Sequence, residues 1–122
     1  IKSVDDKMIL SKDGKILYAA SRGANEFNIP DTVEIIEEQA FYMHGRIKNI
    51  KLPSSIKEIR TQAFAYSSLE KIEIPEKIEK IEYNVFSSCS KLTNIIINKK
   101  KGSISGAPWD CPMGARAVTW LK

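Results

Sequence analysis

The chain is poor in histidine and cysteine. Its 122 residues include one histidine, His44, and two cysteines, Cys89 and Cys111. A Ser/His/Asp or Cys/His catalytic arrangement would have to use that one imidazole, and no His and Cys cluster offers the ligands of a zinc site. Two cysteines are also too few for a disulfide-stapled scaffold. These absences argue against an enzyme, and we expect no metal and no cofactor.

Long apolar runs are missing as well. The longest plain run, Ile16 to Ala20, is far shorter than the roughly 20 residues of a membrane helix, so we expect no membrane insertion. With 6 Gly and 5 Pro, the composition is neither collagen-like nor typical of disorder. No apolar leader follows Ile1, which favours a mature piece or a fragment of a longer chain.

The excess positive charge lies near the C-terminus. The net charge is +4, but residues 91–122 contain six Lys or Arg and one Asp, while the rest of the chain is nearly neutral. Lys99-Lys100-Lys101 is the one basic run. Three lysines neutralise few phosphates, and no aromatic residue lies between them, so we expect a solvated loop rather than a nucleic-acid site.

A repeat of 22 or 23 residues organises the chain. An apolar pair that ends in Phe recurs at intervals of 23 and 22 residues: Ala40-Phe41, Ala63-Phe64 and Val85-Phe86. Proline recurs at the same intervals: Pro30, Pro53 and Pro75. The apolar residues between these landmarks stay in register. Such periodicity is the sequence signature of a solenoid.

In each unit the pattern predicts one short strand followed by a short connection, the return, that leads back to the next strand. Strands with a period of two are predicted at Ile50-x-Leu52, Ile72-x-Ile74 and Ile95-x-Ile97. Parallel strands need a crossover, which the Ala-Phe stretch supplies as a single helical or 3₁₀ turn with its Phe inward. We therefore expect an α/β solenoid: a right-handed coil with a parallel sheet on the concave side and short helical turns on the convex side.

The third unit carries a recognisable motif. It reads Leu69-x-x-Ile72-x-Ile74-Pro75-x-x-Ile78-x-x-Ile81-x-x-x-Val85-Phe86-x-x-Cys89-x-x-Leu92. This pattern resembles the BspA-type leucine-rich repeat of bacterial surface proteins and covers residues 24–98. The second unit lacks one residue between Phe64 and Leu69, which should shorten a convex corner and leave the strand register intact.

Both ends of the chain fit the same period. Asp13-Gly14 between two apolar runs predicts a β-hairpin in residues 1–23, and the segment Glu26 to Ile29 predicts the first solenoid strand. Residues 99–122 predict a degenerate capping repeat whose apolar positions are Ile104, Trp109, Val118 and Trp120 and whose last strand is 117–120. The chain is thus expected to be a single domain: hairpin 1–23, repeats 24–98 and cap 99–122.

The residues that flank the inward pair of each strand should form the concave face. They are Glu26 and Asn28, Asn49 and Lys51, Lys71 and Glu73, Asn94 and Ile96, and Ala117 and Thr119. We take Glu26, Asn28, Asn49, Lys51, Lys71, Glu73, Asn94 and Thr119 as the candidate protein-binding residues. Adjacent strands should place Lys51 beside Glu73, with partial neutralisation. The strip is either a mixed polar protein-binding surface or a solvated face kept charged to deter sheet stacking.

The histidine and the cysteines are expected to have no chemical role. His44 precedes Gly45 on a convex corner, which predicts a surface histidine without a partner. Cys89 and Cys111 are 22 residues apart, about one coil. Convex corners should lie farther apart than the Cα limit of about 7 Å for a disulfide, so we predict two free thiols.

Two functional hypotheses remain open. The resemblance implies a cell-surface or secreted, non-enzymatic module that binds another protein, such as a host or matrix protein, in an adhesion role. The alternative is a rigid spacer that holds other domains of a longer chain away from the surface. Periodicity alone supports only the solenoid, because a fold does not determine a function.

Overall fold

The computed structural model of the chain describes residues 2–122, and residue 1 of the predicted hairpin segment lies outside them. The strands in chain order are β1 Lys2–Val4, β2 Met8–Leu10, β3 Ile16–Ala20, β4 Ile35–Ile36, β5 Asn49–Lys51, β6 Glu58–Ile59, β7 Lys71–Ile74, β8 Lys80–Ile81, β9 Asn94–Ile97 and β10 Val118–Trp120. In the described part of the chain, the one helical element is a 3₁₀ turn at Gly114–Ala117.

The strands form two sheets. The first sheet has six strands in the order β1-β2-β3-β4-β6-β8, and the second sheet has four in the order β10-β9-β7-β5. β1, β2 and β3 pair antiparallel, and all other pairs are parallel. The chain is therefore a β-solenoid of about five turns. Each central coil contributes one strand to each sheet, which corrects the expectation of one strand per unit.

The strands missed by the sequence argument are those of the first sheet between residues 35 and 81. β4, β6 and β8 have two residues each, which is too short for a period-two pattern to show. Their inward residues are Ile36, Ile59 and Ile81, all buried. The expected apolar return therefore starts with a strand in each unit.

The return from the first sheet to the second is a series of hydrogen-bonded turns rather than the expected helical turn. Within one coil, three N–H groups donate to carbonyls three residues earlier: Ala40 to Glu37 at 3.2 Å, Tyr42 to Gln39 at 3.1 Å and His44 to Phe41 at 3.2 Å. The intervening N–H groups donate to the next coil: Gln39 to Thr61 at 3.0 Å, Phe41 to Ala63 at 2.7 Å and Met43 to Ala65 at 2.9 Å. The return is thus a third line of contact between coils.

Left-handed residues make this return possible. Gln39 and Met43 have φ of 57° and 55°, and Gln62 and Tyr66 repeat this with 54° and 59°. A helix directs its N–H groups back along its own chain, whereas a left-handed residue reverses alternate peptide units so that some N–H groups face the neighbouring coil. None of these four residues is Gly or Asn, so the sequence carried no signal for this conformation.

An aromatic column fills the core beside the return. Ring centroids lie 5.2 Å apart for Phe27 and Phe41, 4.8 Å for Phe41 and Phe64, and 6.1 Å for Phe64 and Phe86. Trp109 continues the column at 6.3 Å from Phe86 and is fully buried. The inward orientation predicted for the aromatic landmarks is confirmed by these contacts.

The N-terminal hairpin extends the first sheet. β2 pairs with β3 as expected, and β3 then pairs in parallel with β4. The segment Glu26 to Ile29 is not a strand, contrary to expectation, although its Phe27 and Ile29 side chains are buried. This segment follows a tether to the hairpin, since the Ser21 N–H donates to the Lys7 carbonyl at 2.6 Å. We therefore attribute the missing strand to this bond, which holds the chain near the hairpin, so that residues 26–29 do not pair with β5.

The C-terminal unit follows the predicted register. Val118 pairs with Ile95 and Trp120 with Ile97, 23 residues apart in each case. Trp120 is only half-buried, because β10 is the outer strand of the second sheet. The shortened second unit leaves the register intact, with Ile50 opposite Ile72 and Ile72 opposite Ile95.

Candidate protein-binding face

The second sheet presents two rows of side chains away from the core, which we call the outer face. One row joins Asn49, Lys71 and Asn94, and the other joins Lys51, Glu73, Ile96 and Thr119. The residues between them, such as Ile50 and Ile72, point inward and are buried. The neighbours expected from the repeat are therefore the observed ones. Ala117 is the exception, since it lies in the 3₁₀ turn and is buried.

The charges of the outer face are not paired with one another. Among residues 2–122, no ion pair within 4.0 Å involves Lys51, Lys71 or Glu73. The expected neutralisation of Lys51 by Glu73 is thus absent at contact distance. The outer face keeps its charged groups and amides available to solvent or to a partner.

The corresponding face of the first sheet is different. Arg60 bridges two coils there, with its Nη1 2.6 Å from Glu37 Oε1 and its Nε bonded to Glu58. The hydrogen bond to Glu58 raises the pKa of Arg60, and the bond to Glu37 raises it further. Lys57 and Lys80 pair with Glu34 and Glu82 at 3.9 and 3.3 Å. The charges of this face are therefore engaged by neighbouring side chains.

A shallow groove of about 270 Å³ crosses the outer face where the strands end. Its apolar lining consists of Leu52, Ile74, Pro75, Ile96 and Leu121. Lys51 and Glu73 stand at the same groove, and Leu121 is 58% exposed. An apolar patch beside charged groups is typical of a protein interface core with its polar rim.

A second depression separates two of the predicted site residues from the rest. Glu26 and Asn28 line a cleft of about 510 Å³ together with β5, which we call the N-terminal cleft. Because segment 26–29 is not a strand, these two residues do not extend the rows of the outer face. They stand on the opposite wall of the cleft from Asn49 and Lys51.

The lysine run is partly used by the fold. Lys99 Nζ donates to the Ile78 carbonyl at 2.8 Å, while Lys100 and Lys101 are exposed. Nearby, Lys122 Nζ lies 2.5 Å from Glu76 Oε2, and this hydrogen bond lowers the pKa of Glu76. Two of the lysines at this corner are therefore bonded within the protein, and the lysine run does not form an enclosed anion site.

His44 is not the surface histidine expected. It is 1% exposed, its Nε2 lies 2.8 Å from the Ser21 carbonyl, and its Nδ1 accepts the Ile47 N–H at 3.1 Å. With Nδ1 accepting, Nε2 carries the proton and donates to Ser21. His44 precedes Ser67 and Cys89 by 23 and 45 residues, so it occupies the same position of the repeat. That spacing was the signal for an inward side chain.

The two cysteines are free, as expected, and both are buried. Cys89 Sγ donates to the Phe64 carbonyl at 2.9 Å, and Cys111 Sγ donates to the Leu92 carbonyl at 3.6 Å. Burial raises the pKa of both thiols above the ordinary value of 9.0. Both side chains act as small core residues with a weak hydrogen bond to the backbone.

Residues 2–122 contain neither a membrane-spanning helix nor a metal-binding cluster. Their one helical element, the 3₁₀ turn at Gly114–Ala117, is far too short to span a bilayer. No group of three or more His, Cys, Asp or Glu residues in the same range is placed to hold a metal ion.

The solenoid resembles a solved structure. The crystal structure of the pneumococcal vaccine antigen PcpA matches with a TM-score of 0.58 and 17% sequence identity. The match covers 75% of this chain and 29% of that chain, so the present chain spans less than a third of the PcpA structure. At this identity the likeness shows the fold alone. No curated protein matches the chain.

The repeat itself identifies the family. The family model of the BspA type leucine rich repeat region matches residues 14–108 in six copies. This range includes every strand from β3 to β9 and the aromatic column from Phe27 to Phe86. The chain belongs to the BspA-type leucine-rich-repeat family.

Proposed function

We propose that the chain is a non-enzymatic protein-binding module and that the outer face of the second sheet is its binding surface. The residues in contact with the partner would be Asn49, Lys51, Lys71, Glu73, Asn94 and Thr119, with Glu26 and Asn28 at the N-terminal margin. The ligand is another protein, for example a host or matrix protein in an adhesion role. No nucleic acid and no cofactor take part.

The contrast between the two sheets carries this proposal. At the first sheet, Arg60, Lys57 and Lys80 form ion pairs with neighbouring carboxylates. On the outer face, Lys51 and Lys71 have no such partner among residues 2–122, and an apolar groove adjoins them. Unpaired charges give a partner both electrostatic attraction and specificity, and burial of the groove adds affinity.

The location we propose is the cell surface or the extracellular medium. The support is membership of the BspA-type family, together with a fold shared with PcpA, which is described as a vaccine antigen. In this proposal the chain is one part of a longer surface protein.

Charge reversal on the two faces tests the binding surface. The chain is immobilised and screened against purified extracellular-matrix proteins by surface plasmon resonance. The variant Lys51→Glu/Lys71→Glu should then bind the partner so found at least about tenfold more weakly, because mismatched charges in an interface cost several kcal/mol. The matched control Lys57→Glu/Lys80→Glu changes the same number of charges on the first sheet and should keep its affinity. Equal affinity of the parent and the outer-face variant would exclude this face.

A rigid spacer is the second candidate function. Neighbouring coils are hydrogen bonded in the first sheet, in the second sheet and along the return, and an aromatic column runs through them. Such continuous bonding resists bending. A spacer predicts that no surface protein binds the parent chain, and that lengthening the solenoid by whole repeats restores any function lost on shortening it.

A further inference from the structure

The outer edge of β5 has unpaired backbone groups. In the parallel pairing with β7, the Leu52 N–H donates to the Glu73 carbonyl at 3.0 Å and the Lys71 N–H to the Lys48 carbonyl at 3.1 Å. This register directs the N–H and C=O groups of residues 49 and 51 away from β7. Among residues 2–122, no hydrogen bond involves these outward groups.

The opposite wall of the N-terminal cleft has unpaired backbone groups as well. Segment 26–29 forms no strand, and its one hydrogen bond in the described chain joins Lys7 Nζ to the Glu26 carbonyl at 3.4 Å. The cleft of about 510 Å³ lies between this segment and β5. Two rows of free peptide groups therefore border one space.

The core beneath the cleft is covered slightly less well than the core inside the sheet. The inward residues at the cleft, Ile50, Phe27 and Ile29, retain 5%, 8% and 8% exposure. The equivalent residues in the interior of the sheet, Ile72 and Ile95, are both at 0%. The difference follows from the missing strand, since each paired coil covers the inward residues of its neighbour.

We propose that an extended segment of a partner protein enters this cleft and adds to the edge of β5 as a further strand. Free N–H and C=O groups at every second residue, about 6.8 Å apart, match the spacing of the peptide groups in an extended polypeptide backbone. A small apolar side chain of the segment would lie over Ile50 and Phe27. Lys7 and Lys51 outnumber Glu26 at the cleft, so an acidic residue beside Lys51 completes the recognition.

Amide hydrogen exchange of the free chain provides the first test. The N–H groups of Asn49 and Lys51 should exchange much faster than those of Ile50 and Leu52, which are bonded within the sheet. Protection of Asn49 and Lys51 in the free protein would mean that the edge is already paired and would overturn the proposal. This measurement needs no variant and no ligand.

A random-peptide phage library panned on the chain supplies the probe for the second test. Synthetic copies of the selected peptides should slow exchange at Asn49 and Lys51. Lys51→Pro removes the edge N–H and fills its place with the ring, which an edge strand tolerates, so it should weaken peptide binding about tenfold or more. The matched variant Lys51→Ala loses the same ammonium group but keeps the N–H, so it should bind the peptide several-fold more tightly than Lys51→Pro does.

The remaining outcomes are also decisive. Selection of no peptide, protection of Trp120 on the other edge instead of Asn49, or equal binding by Lys51→Pro and Lys51→Ala would each overturn the proposal. If Lys51→Pro unfolds, the exchange pattern in the peptide-bound parent decides alone. Failure here is distinct from failure of the outer-face proposal, because Lys71→Glu alters the outer face and leaves the β5 edge unchanged.

Discussion

Lys51 and Glu73 lie directly opposite each other on β5 and β7, yet they form no ion pair within 4.0 Å. Both side chains are accessible to solvent, and no ion pair between them stabilises the fold. The variant Lys51→Glu/Lys71→Glu should therefore change the free energy of unfolding by no more than about 1 kcal/mol. Chemical denaturation with urea measures this directly. A loss several times larger would show that the outer-face charges are structural.

Arg60 should matter more than the lysines of the outer face. It bridges Glu37 and Glu58 across neighbouring coils, although 39% of its side chain is exposed. Allowing for solvent screening, we expect Arg60→Met to cost about 1 kcal/mol and Lys71→Met to be within about 0.5 kcal/mol of neutral. The difference between the two should shrink in 1 M salt. A salt-independent loss would assign the effect to packing of the arginine stem.

His44 is predicted to be a stability residue. His44→Ala removes its hydrogen bonds to the backbone of Ser21, Arg46 and Ile47 and leaves the buried Ile47 N–H without an acceptor, so the loss should be about 2–4 kcal/mol. His44→Ser introduces the residue found at the equivalent position 67, whose hydroxyl accepts the Leu69 N–H at 3.4 Å. It should recover part of the loss. Equal unfolding midpoints for Ala and Ser would show that only side-chain volume matters there.

The thiols should be unreactive in the native protein. Both are buried, and burial raises their pKa, so little thiolate exists near neutral pH. Modification by Ellman's reagent should be slow and should become complete on unfolding in guanidinium chloride. Rapid labelling of one cysteine without denaturant would show local opening at its coil.

The same pKa shifts predict alkaline destabilisation. The folded pKa of each thiol is raised, so its contribution is fully present below the unfolded value near 9.0 and is lost as the pH rises through the folded value. The free energy of unfolding should therefore fall above about pH 9. Cys89→Ala/Cys111→Ala should show a smaller fall over the same range. Identical pH dependence in the two proteins would contradict this assignment.

The C-terminal unit should act as a cap. Removing residues 103–122 takes away Trp109 and β10 and exposes the edge of β9, whose residues 95–97 are three consecutive isoleucines. An apolar unpaired strand invites association, so the truncated chain should aggregate or unfold at lower temperature. Removing only Leu121 and Lys122 leaves β10 in place and is the control. A monomeric truncated chain with an unchanged melting temperature would refute the capping role.

The repeat predicted the core better than it predicted the backbone. Spacing alone located the buried Phe41, Phe64 and Phe86 and the pairing of Trp120 with Ile97. Burial depends on side-chain type, which a sequence displays. The turns of the return depend on positive φ at residues such as Met43 and Tyr66, whose side chains give no indication of it.

The sequence predicted which residues of the candidate site are neighbours along the outer face. It did not predict where the second sheet ends. The 22-residue offset placed Asn49 beside Lys71 and Lys51 beside Glu73, because a parallel register repeats from coil to coil. The same argument placed Glu26 and Asn28 on a strand that the structure does not form. A tether between Ser21 and Lys7 has no counterpart in the repeat, so periodicity could not reveal it.

The hydrogen bonds that join residues 22 or 23 positions apart give the molecule a constant pitch. Removing one whole period, residues 53–74, would join Leu52 to Pro75 and restore the same residue pattern on both sides of the junction. The coils on the two sides of the junction would form the same hydrogen bonds and side-chain contacts as before, and only the number of coils would change. The length of such a protein can therefore vary in whole turns by insertion or loss of a repeat, while its two ends and its cross-section stay the same.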